Sequence, residues 1–137
     1  MKVSELMTPR VESIEPTTSL RTAARKMKEL GVGALPIVEN GKVLGIITDR
    51  DLACFAIAMG RDLNSEHVSR VMTKEVVSCK AGQDIAEAAK LMQAKKIRRL
   101  LVLNDDNSLA GFFSVDDLVR GSHDLAGAVL EAAAPVH

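Results

Sequence analysis

An α+β fold built from two copies of one small unit is what this sequence predicts, and three observations predict it. The first is a repeat. Val3-Ser4-Glu5-Leu6-Met7-Thr8 returns as Val68-Ser69-Arg70-Val71-Met72-Thr73, and Gly45-Ile46-Ile47-Thr48-Asp49-Arg50-Asp51-Leu52 returns as Gly111-Phe112-Phe113-Ser114-Val115-Asp116-Asp117-Leu118. The offset between copies lengthens by a single residue, in the turn around Asn104 to Ser108. The second is an alternation, within each copy, of short apolar runs bounded by turn residues with segments of helical spacing. The third is size. A chain of 137 residues with 47% hydrophobic content can bury a core of about one domain. Each copy is marginal alone, so the two are expected to pack on one another about a pseudo-two-fold axis, with ligand clefts where they meet.

In the first copy Val11-Glu12-Ser13-Ile14 reads as a strand ended by Pro16. Leu20, Ala23, Ala24, Met27 and Leu30 then recur at helical spacing, with Thr17, Thr18 or Ser19 as N-cap and Gly31 as the stop. Leu35-Pro36-Ile37-Val38 is the next strand, Asn40-Gly41 a two-residue hairpin signal, and Val43 to Ile47 the returning strand. A second helix is expected from Asp49 to about Met59, ended by Gly60.

The second copy follows the same order. Val76-Val77-Ser78-Cys79 is the strand, and Ile85, Ala88, Ala89 and Met92 mark a helix begun near Asp84. Leu100 to Leu103 and Leu109 to Phe113 form the hairpin, and Val115 to about Arg120 the closing helix. Each unit is thus β-α-β-β-α, with a small three-stranded sheet. The expected boundaries are 1–60 for the first repeat, 61–67 for a linker, 68–121 for the second repeat and 122–137 for a C-terminal helix or tail. Asp124 to Ala134 reads as an Ala-rich helix, free to pack on the module or on a partner, with Pro135 stopping it.

Composition narrows the function. Lys and Arg number 18, as do Asp and Glu, so the formal net charge is zero and nothing favours nucleic acid or an anionic membrane. Without Trp or Tyr, and with only Phe55, Phe112 and Phe113, stacking platforms for single strands are scarce. Lys95-Lys96 with Arg98-Arg99 is too short a basic cluster to reverse that. No apolar run reaches membrane-spanning length and the N-terminus lacks a signal-peptide stretch, so a cytoplasmic protein is expected. Cys54 and Cys79 sit in apolar segments and read as buried reduced thiols, a disulfide or redox pair being the alternative. His67, His123 and His137 lack metal-ligand spacing, and the turn Asp105-Asp106-Asn107 lacks calcium-loop spacing. No nucleophile elbow or ordered triad is present, and no general base accompanies the repeated motif; the chain is not expected to be an enzyme.

The repeated Gly-x-x-Thr/Ser-x-x-Asp carries the chemistry. Thr48 and Ser114 each sit where a strand ends and a helix begins, a place suited to a phosphate. The alternative is a plain N-cap. Asp51 and Asp117 follow in the first helical turn, where the helix dipole favours a carboxylate. Such a carboxylate can also accept from two vicinal hydroxyls, as on a ribose. Gly45 and Gly111 would permit close backbone approach.

This ending resembles the cystathionine-β-synthase (CBS) domain, over Val3 to Leu118. The resemblance rests on Leu6-Met7-Thr8, Gly33-Ala34-Leu35-Pro36-Ile37, Ile46 to Leu52, Ile97-Arg98-Arg99-Leu100 and the second Gly-to-Leu118 motif, in order and twice. It implies a tandem CBS pair of the stand-alone bacterial or archaeal type: a regulatory module that binds adenosine nucleotides (AMP, ADP or ATP) and requires no cofactor. It implies that Thr48 and Ser114 contact phosphate and that Asp51 and Asp117 hold ribose hydroxyls. It places the base against Val11, Val32 and Ile46 in one pocket, and against Val76, Val77, Ile97 and Phe112 in the other; each of these residues read alone is simple core. S-adenosylmethionine, NADH, GTP and cyclic dinucleotides fit the same diol grip. A homodimer and an unidentified protein partner acting in trans are implied too. A structural or protein-interaction module without nucleotide is the rival reading.

The copies differ in one respect. Arg98 and Arg99 precede the second Leu100 strand, where the first copy has Gly33 and Ala34. A guanidinium on phosphate is worth roughly 1.5–3 kcal/mol, or about one to two decades in affinity. The Ser114/Asp117 site is therefore expected to be the tighter for charged nucleotides, unless Arg98 or Arg99 serves both; a solvated basic pair is the alternative.

Overall fold

The structure is a computed structural model and describes residues 1–134. In chain order the elements are α1 (Val3–Leu6), β1 (Thr8–Pro9), α2 (Leu20–Leu30), β2 (Ala34–Glu39), β3 (Lys42–Thr48), α3 (Asp49–Asp51), β4 (Ser78–Lys80), α4 (Ile85–Lys95), β5 (Arg99–Leu103), β6 (Leu109–Ser114), α5 (Val115–Val119) and α6 (His123–Ala133). A π-helical segment, Leu52–Ile57, continues α3, and a 3-10 turn covers Val68–Arg70.

Packing does not follow the repeat boundaries. Residues Glu12–Val76 form one compact unit, and Met1–Val11 with the described residues from Val77 onward form the other. The N-terminal Leu-Met-Thr thus packs with the second repeat, and Val71-Met72-Thr73 with the first.

In the Glu12–Val76 unit, β2 and β3 form an antiparallel hairpin. Its turn, Asn40-Gly41, has both residues at positive φ (52° and 78°), as a two-residue turn matched to strand twist requires. Helix α2 starts where Ser19 Oγ accepts from the Thr22 amide and stops at Gly31 in the left-handed region, φ 66°. Its Leu20, Ala23 and Met27 face a core with Leu35, Ile37, Ile47 and Val68.

The other unit carries a four-stranded sheet, ordered β1-β6-β5-β4, with β4 parallel to β5 and the other pairs antiparallel. Phe113, Leu100, Val102 and Met92 are buried in its core, with Ala126 and Val129 of α6. The Ala-rich helix therefore covers its own unit; the stop expected at Pro135 lies outside the described residues.

The three-stranded sheets expected from sequence are corrected in both units. One sheet has four strands; in the other, only the hairpin is continuous, and single bridges stand at its edges. Ile14 pairs with Ile37 in parallel where Cys79 pairs with Val102 in the other copy, and Ile46 pairs with Thr73 where Phe112 pairs with Thr8. Val11 to Ile14 is not a strand. Arg10 at φ 54° breaks the extended path and Glu12 and Ser13 are exposed, so only Ile14 has a reason to pair. Its amide donates to Pro36 O and its carbonyl accepts from Val38 N. The strand expected at Val76 starts at Ser78.

The helix after Asp49 is α-helical for one turn and then π-helical to Ile57, short of the Met59 expected, and a turn follows to Gly60 at φ 69°. Leu52 and Ala56, four residues apart, are buried on one face while Phe55, Ile57 and Met59 are exposed. Cys54 is exposed rather than buried as expected, whereas Cys79 is buried as expected; both thiols are free.

Candidate functional site

The repeated motif folds into the same capping box twice. In the first, Thr48 Oγ1 accepts from the Asp51 amide at 3.1 Å, and Asp51 Oδ2 accepts from the Thr48 amide at 2.9 Å. In the second, Ser114 Oγ accepts from the Asp117 amide at 3.3 Å, and Asp117 Oδ2 accepts from the Ser114 amide at 3.0 Å. The cap follows from sequence: a hydroxyl residue leaves a strand in extended conformation, and an acid three residues on reaches back to it. Each carboxylate is held 5% exposed at a strand-to-helix junction.

Each box has a third member that the sequence did not single out for a role. Thr73 Oγ1 lies 3.5 Å from both oxygens of Asp51, and Thr8 Oγ1 lies 3.4 Å from Asp117 Oδ1. Both threonines close the Met-Thr motif near the start of a repeat, and the repetition of that motif was the signal.

The glycines of the repeat explain why the Met-Thr segments lie there. A Cβ on Gly111 would sit 2.3 Å from the Thr8 carbonyl oxygen, and one on Gly45 would sit 2.7 Å from that of Thr73. The close approach expected at these glycines is made by the chain's own backbone.

A larger difference separates the boxes. Arg120 Nη2 donates to Asp117 Oδ1 at 2.9 Å and to the Leu6 carbonyl at 2.7 Å. The corresponding position in the first repeat is Cys54. Asp117 Oδ1 thus accepts from Thr8 and Arg120, while Oδ2 accepts from the amide and, at 3.2 Å, the hydroxyl of Ser114. Four donors fill its acceptor positions, whereas Asp51 has one amide and one distant hydroxyl. Sequence reasoning missed Arg120; the Asp-x-x-Arg spacing, present in the second copy alone, could have found it.

The structure brings Arg99 beside Ser114, as cross-strand partners in the β5–β6 ladder, and the Arg98 carbonyl accepts from the Val115 amide. Both arginine side chains are exposed, and neither has an ion-pair partner among the described residues. At the equivalent place in the first copy, Ala34 pairs with Thr48 and a Cβ on Gly33 would be 3.0 Å from an Asp49 carboxylate oxygen. The second box therefore has Arg98 and Arg99 beside it where the first has Gly33 and Ala34, while Arg50 within the first box and Asp116 within the second offset part of that difference.

The apolar candidates sit at the margins of the cores. Ile46 and Phe112 are half-buried next to the fully buried Ile47 and Phe113, on opposite faces of their strands. Val11, Val76, Val77 and Ile97 are half-buried, and Val32 is 42% exposed. Packing places Val11 in the unit of Ser114 and Asp117, and Val76 in the unit of Thr48 and Asp51, exchanging the two between the groups expected from sequence.

A shallow groove of about 220 Å³ lies away from these boxes, lined by Glu15, Pro16, Thr17, Val38, Glu39 and Asn40. Two carboxylates and no cation make it a poor seat for phosphate. No cluster of three or more metal-ligating side chains occurs among the described residues, and no helix among them is long and apolar enough to cross a membrane.

Two copies of a mixed helix–strand unit, each ending in a Thr/Ser–Asp capping box with a buried carboxylate, define a tandem two-repeat module. The CBS domain model matches residues 3–56 and again 68–124, and the chain belongs to the CBS-domain family. The CBS domain-containing protein YhcV of Bacillus subtilis (strain 168) is 38% identical over 130 residues, spanning 93% of this chain and 91% of that protein. Among solved structures, Hypoxic Response Protein I with two coordinated zinc ions superposes with a TM-score of 0.80 at 26% identity, over 89% of this chain and 99% of that one. CBSX2 in complex with AMP superposes with a TM-score of 0.76 at 27% identity, over 88% and 94%.

Proposed function

We infer that this CBS pair is a regulatory module that binds adenosine nucleotides (AMP, ADP or ATP) and passes the bound state to a protein partner in trans, without catalysis of its own. Asp51 and Asp117 hold the ribose diol, Thr48 and Ser114 face the phosphate end, and Arg98 and Arg99 supply charge at the second box. Val11, Val32, Ile46, Val76, Val77, Ile97 and Phe112 line the base. The module works as a cytoplasmic homodimer in this reading.

The observation that carries it is Arg99, exposed and directly across the ladder from Ser114, one turn from a buried carboxylate. A pair of unpartnered cations beside a hydroxyl and a diol acceptor matches a nucleotide's chemistry better than a structural cap alone would. The likeness to CBSX2, solved with AMP, supports the same ligand class. A ligand that prefers one arrangement of the module shifts its population by the difference in affinity, which is all a sensor requires.

Native mass spectrometry with AMP, ADP, ATP, S-adenosylmethionine and NADH tests this reading. Adenosine nucleotides should add mass to a dimer, and Asp51→Ala and Asp117→Ala should each remove one class of site. Binding of none of these ligands, with no rise in melting temperature across the panel, would leave the rival reading of an interaction module. That rival has its own support in the exposed Phe55, Ile57 and Met59 along the π-helical segment.

A further inference from the structure

Arg120 has no place in the nucleotide reading, yet it holds the carboxylate on which that reading depends. Its Nη2 spends one hydrogen on Asp117 Oδ1 and the other on the Leu6 carbonyl. Asp117 is 6% exposed in the side chain while Arg120 is 61% exposed. The pair is therefore asymmetric. Arg120 can leave without burying a charge of its own, but Asp117 cannot lose a donor without a replacement.

Resting on the nucleotide reading, we propose that Arg120 is a latch on the second box, which makes that box selective for ligands carrying both a vicinal diol and a phosphate. A diol has hydroxyls to give Asp117, but it must evict a guanidinium that is then left without an anion. A ligand with a phosphate supplies both halves of the exchange. One of its hydroxyls takes the position that Arg120 leaves on Asp117 Oδ1, and its phosphate receives the released guanidinium. The Nε and Nη1 groups of Arg120 make no hydrogen bond among the described residues, so they remain ready for a planar, charge-assisted contact with phosphate oxygens. Release of Arg120 also frees the Leu6 carbonyl at the end of α1, which links occupancy of the box to the N-terminal segment. The first repeat has Cys54 at the corresponding position and carries no such device, so its box accepts a diol whether or not a phosphate accompanies it.

Calorimetric titration of the full chain with adenosine and with AMP tests the latch. Asp51→Ala isolates the second box, and Arg120→Gln in that background removes the cation while keeping a long polar side chain. Asp51→Ala should bind AMP at least about tenfold tighter than adenosine, one charge-assisted hydrogen bond being worth about that much. Adding Arg120→Gln should tighten adenosine and bring the two ligands to within about threefold of each other. An AMP-to-adenosine ratio unchanged by Arg120→Gln, or adenosine weakened by it, overturns the latch and leaves nucleotide binding standing. The same holds if the wild type binds AMP but Asp51→Ala binds neither ligand, with or without Arg120. A wild type that binds neither ligand overturns the latch and the nucleotide reading together.

Discussion

The two compact units carry the same capping box with different charges flanking it. The first box holds Asp49 and Arg50 within it, has Thr73 beside Asp51 and is followed by the neutral Cys54; the second holds Val115 and Asp116, has Thr8 and Arg120 on Asp117, and faces Arg99 across the ladder. Backbone geometry is nearly identical, since Thr48 and Ser114 leave their strands at φ −115° and −114°. The repeat thus fixes where a carboxylate is buried, while substitutions flanking it decide what that carboxylate will accept. The edge strands differ in the same sense. Thr8 and Pro9 pair with Phe112 and Gly111 as a strand, whereas Thr73 meets Ile46 at a single bridge.

The largest way to break this comparison is through the two glycines. An added methyl at Gly111 would meet the Thr8 carbonyl at 2.3 Å, and one at Gly45 the Thr73 carbonyl at 2.7 Å. In both cases the obstacle is backbone, which cannot turn aside as a side chain does, so overpacking of about 1–3 kcal/mol or more is expected. Gly111→Ala should be the costlier, because it drives apart a formed strand pair. Urea denaturation of Gly45→Ala, Gly111→Ala and the wild type measures both. Equal losses, or a greater loss at Gly45, would mean that the strand pairing of Thr8 adds nothing over the isolated bridge of Thr73.

A transplant sharpens the comparison next. Cys54→Arg places a guanidinium three residues after Asp51, as Arg120 stands after Asp117. In a chain whose second box is removed by Asp117→Ala, Cys54→Arg should weaken adenosine by about tenfold while AMP falls less. Calorimetry reads both affinities. Equal affinities for both ligands before and after the change would show that the spacing alone does not confer selectivity.

Much of the fold was legible because local rules and packing agree there. Ser19, Gly31, Asn40-Gly41 and Asp84 each sit where caps and turns want them, and the structure uses them so. The sequence misled where packing overrode the local signal. Val11 to Ile14 has the composition of a strand, but only Ile14 has a core to enter. The apolar run after Asp51 reads as an α-helix, yet Leu52–Ile57 is π-helical and leaves Cys54 exposed. In the site, Thr48, Asp51, Ser114 and Asp117 were legible because a repeat advertises them. Thr8, Thr73 and Arg120 were not, because their roles depend on contacts distant in sequence or on a difference between copies.

The smallest effect expected distinguishes the units by their thiols. Cys54 is exposed on the π-helical segment, while Cys79 lies in the other core, where burial pushes its thiol from 9.0 up to about 11. Thiolate is the reactive form, so iodoacetamide at about pH 8 should label Cys54 in the native protein and Cys79 only after denaturation. The same shift has a pH consequence of definite sign. The native state keeps the Cys79 proton to about pH 11 and the unfolded chain loses it near 9.0. Between these values the unfolded state binds fewer protons, so stability falls as pH rises through that window and is unaffected below it. Lysines titrate nearby, so the measurement is a difference: chemical denaturation of wild type and Cys79→Ala across the window. The wild type should lose stability faster with rising pH than the variant. Parallel curves would show that the thiol ionises as freely in the fold as in the open chain, and the contrast between the two cysteines would then be one of access alone.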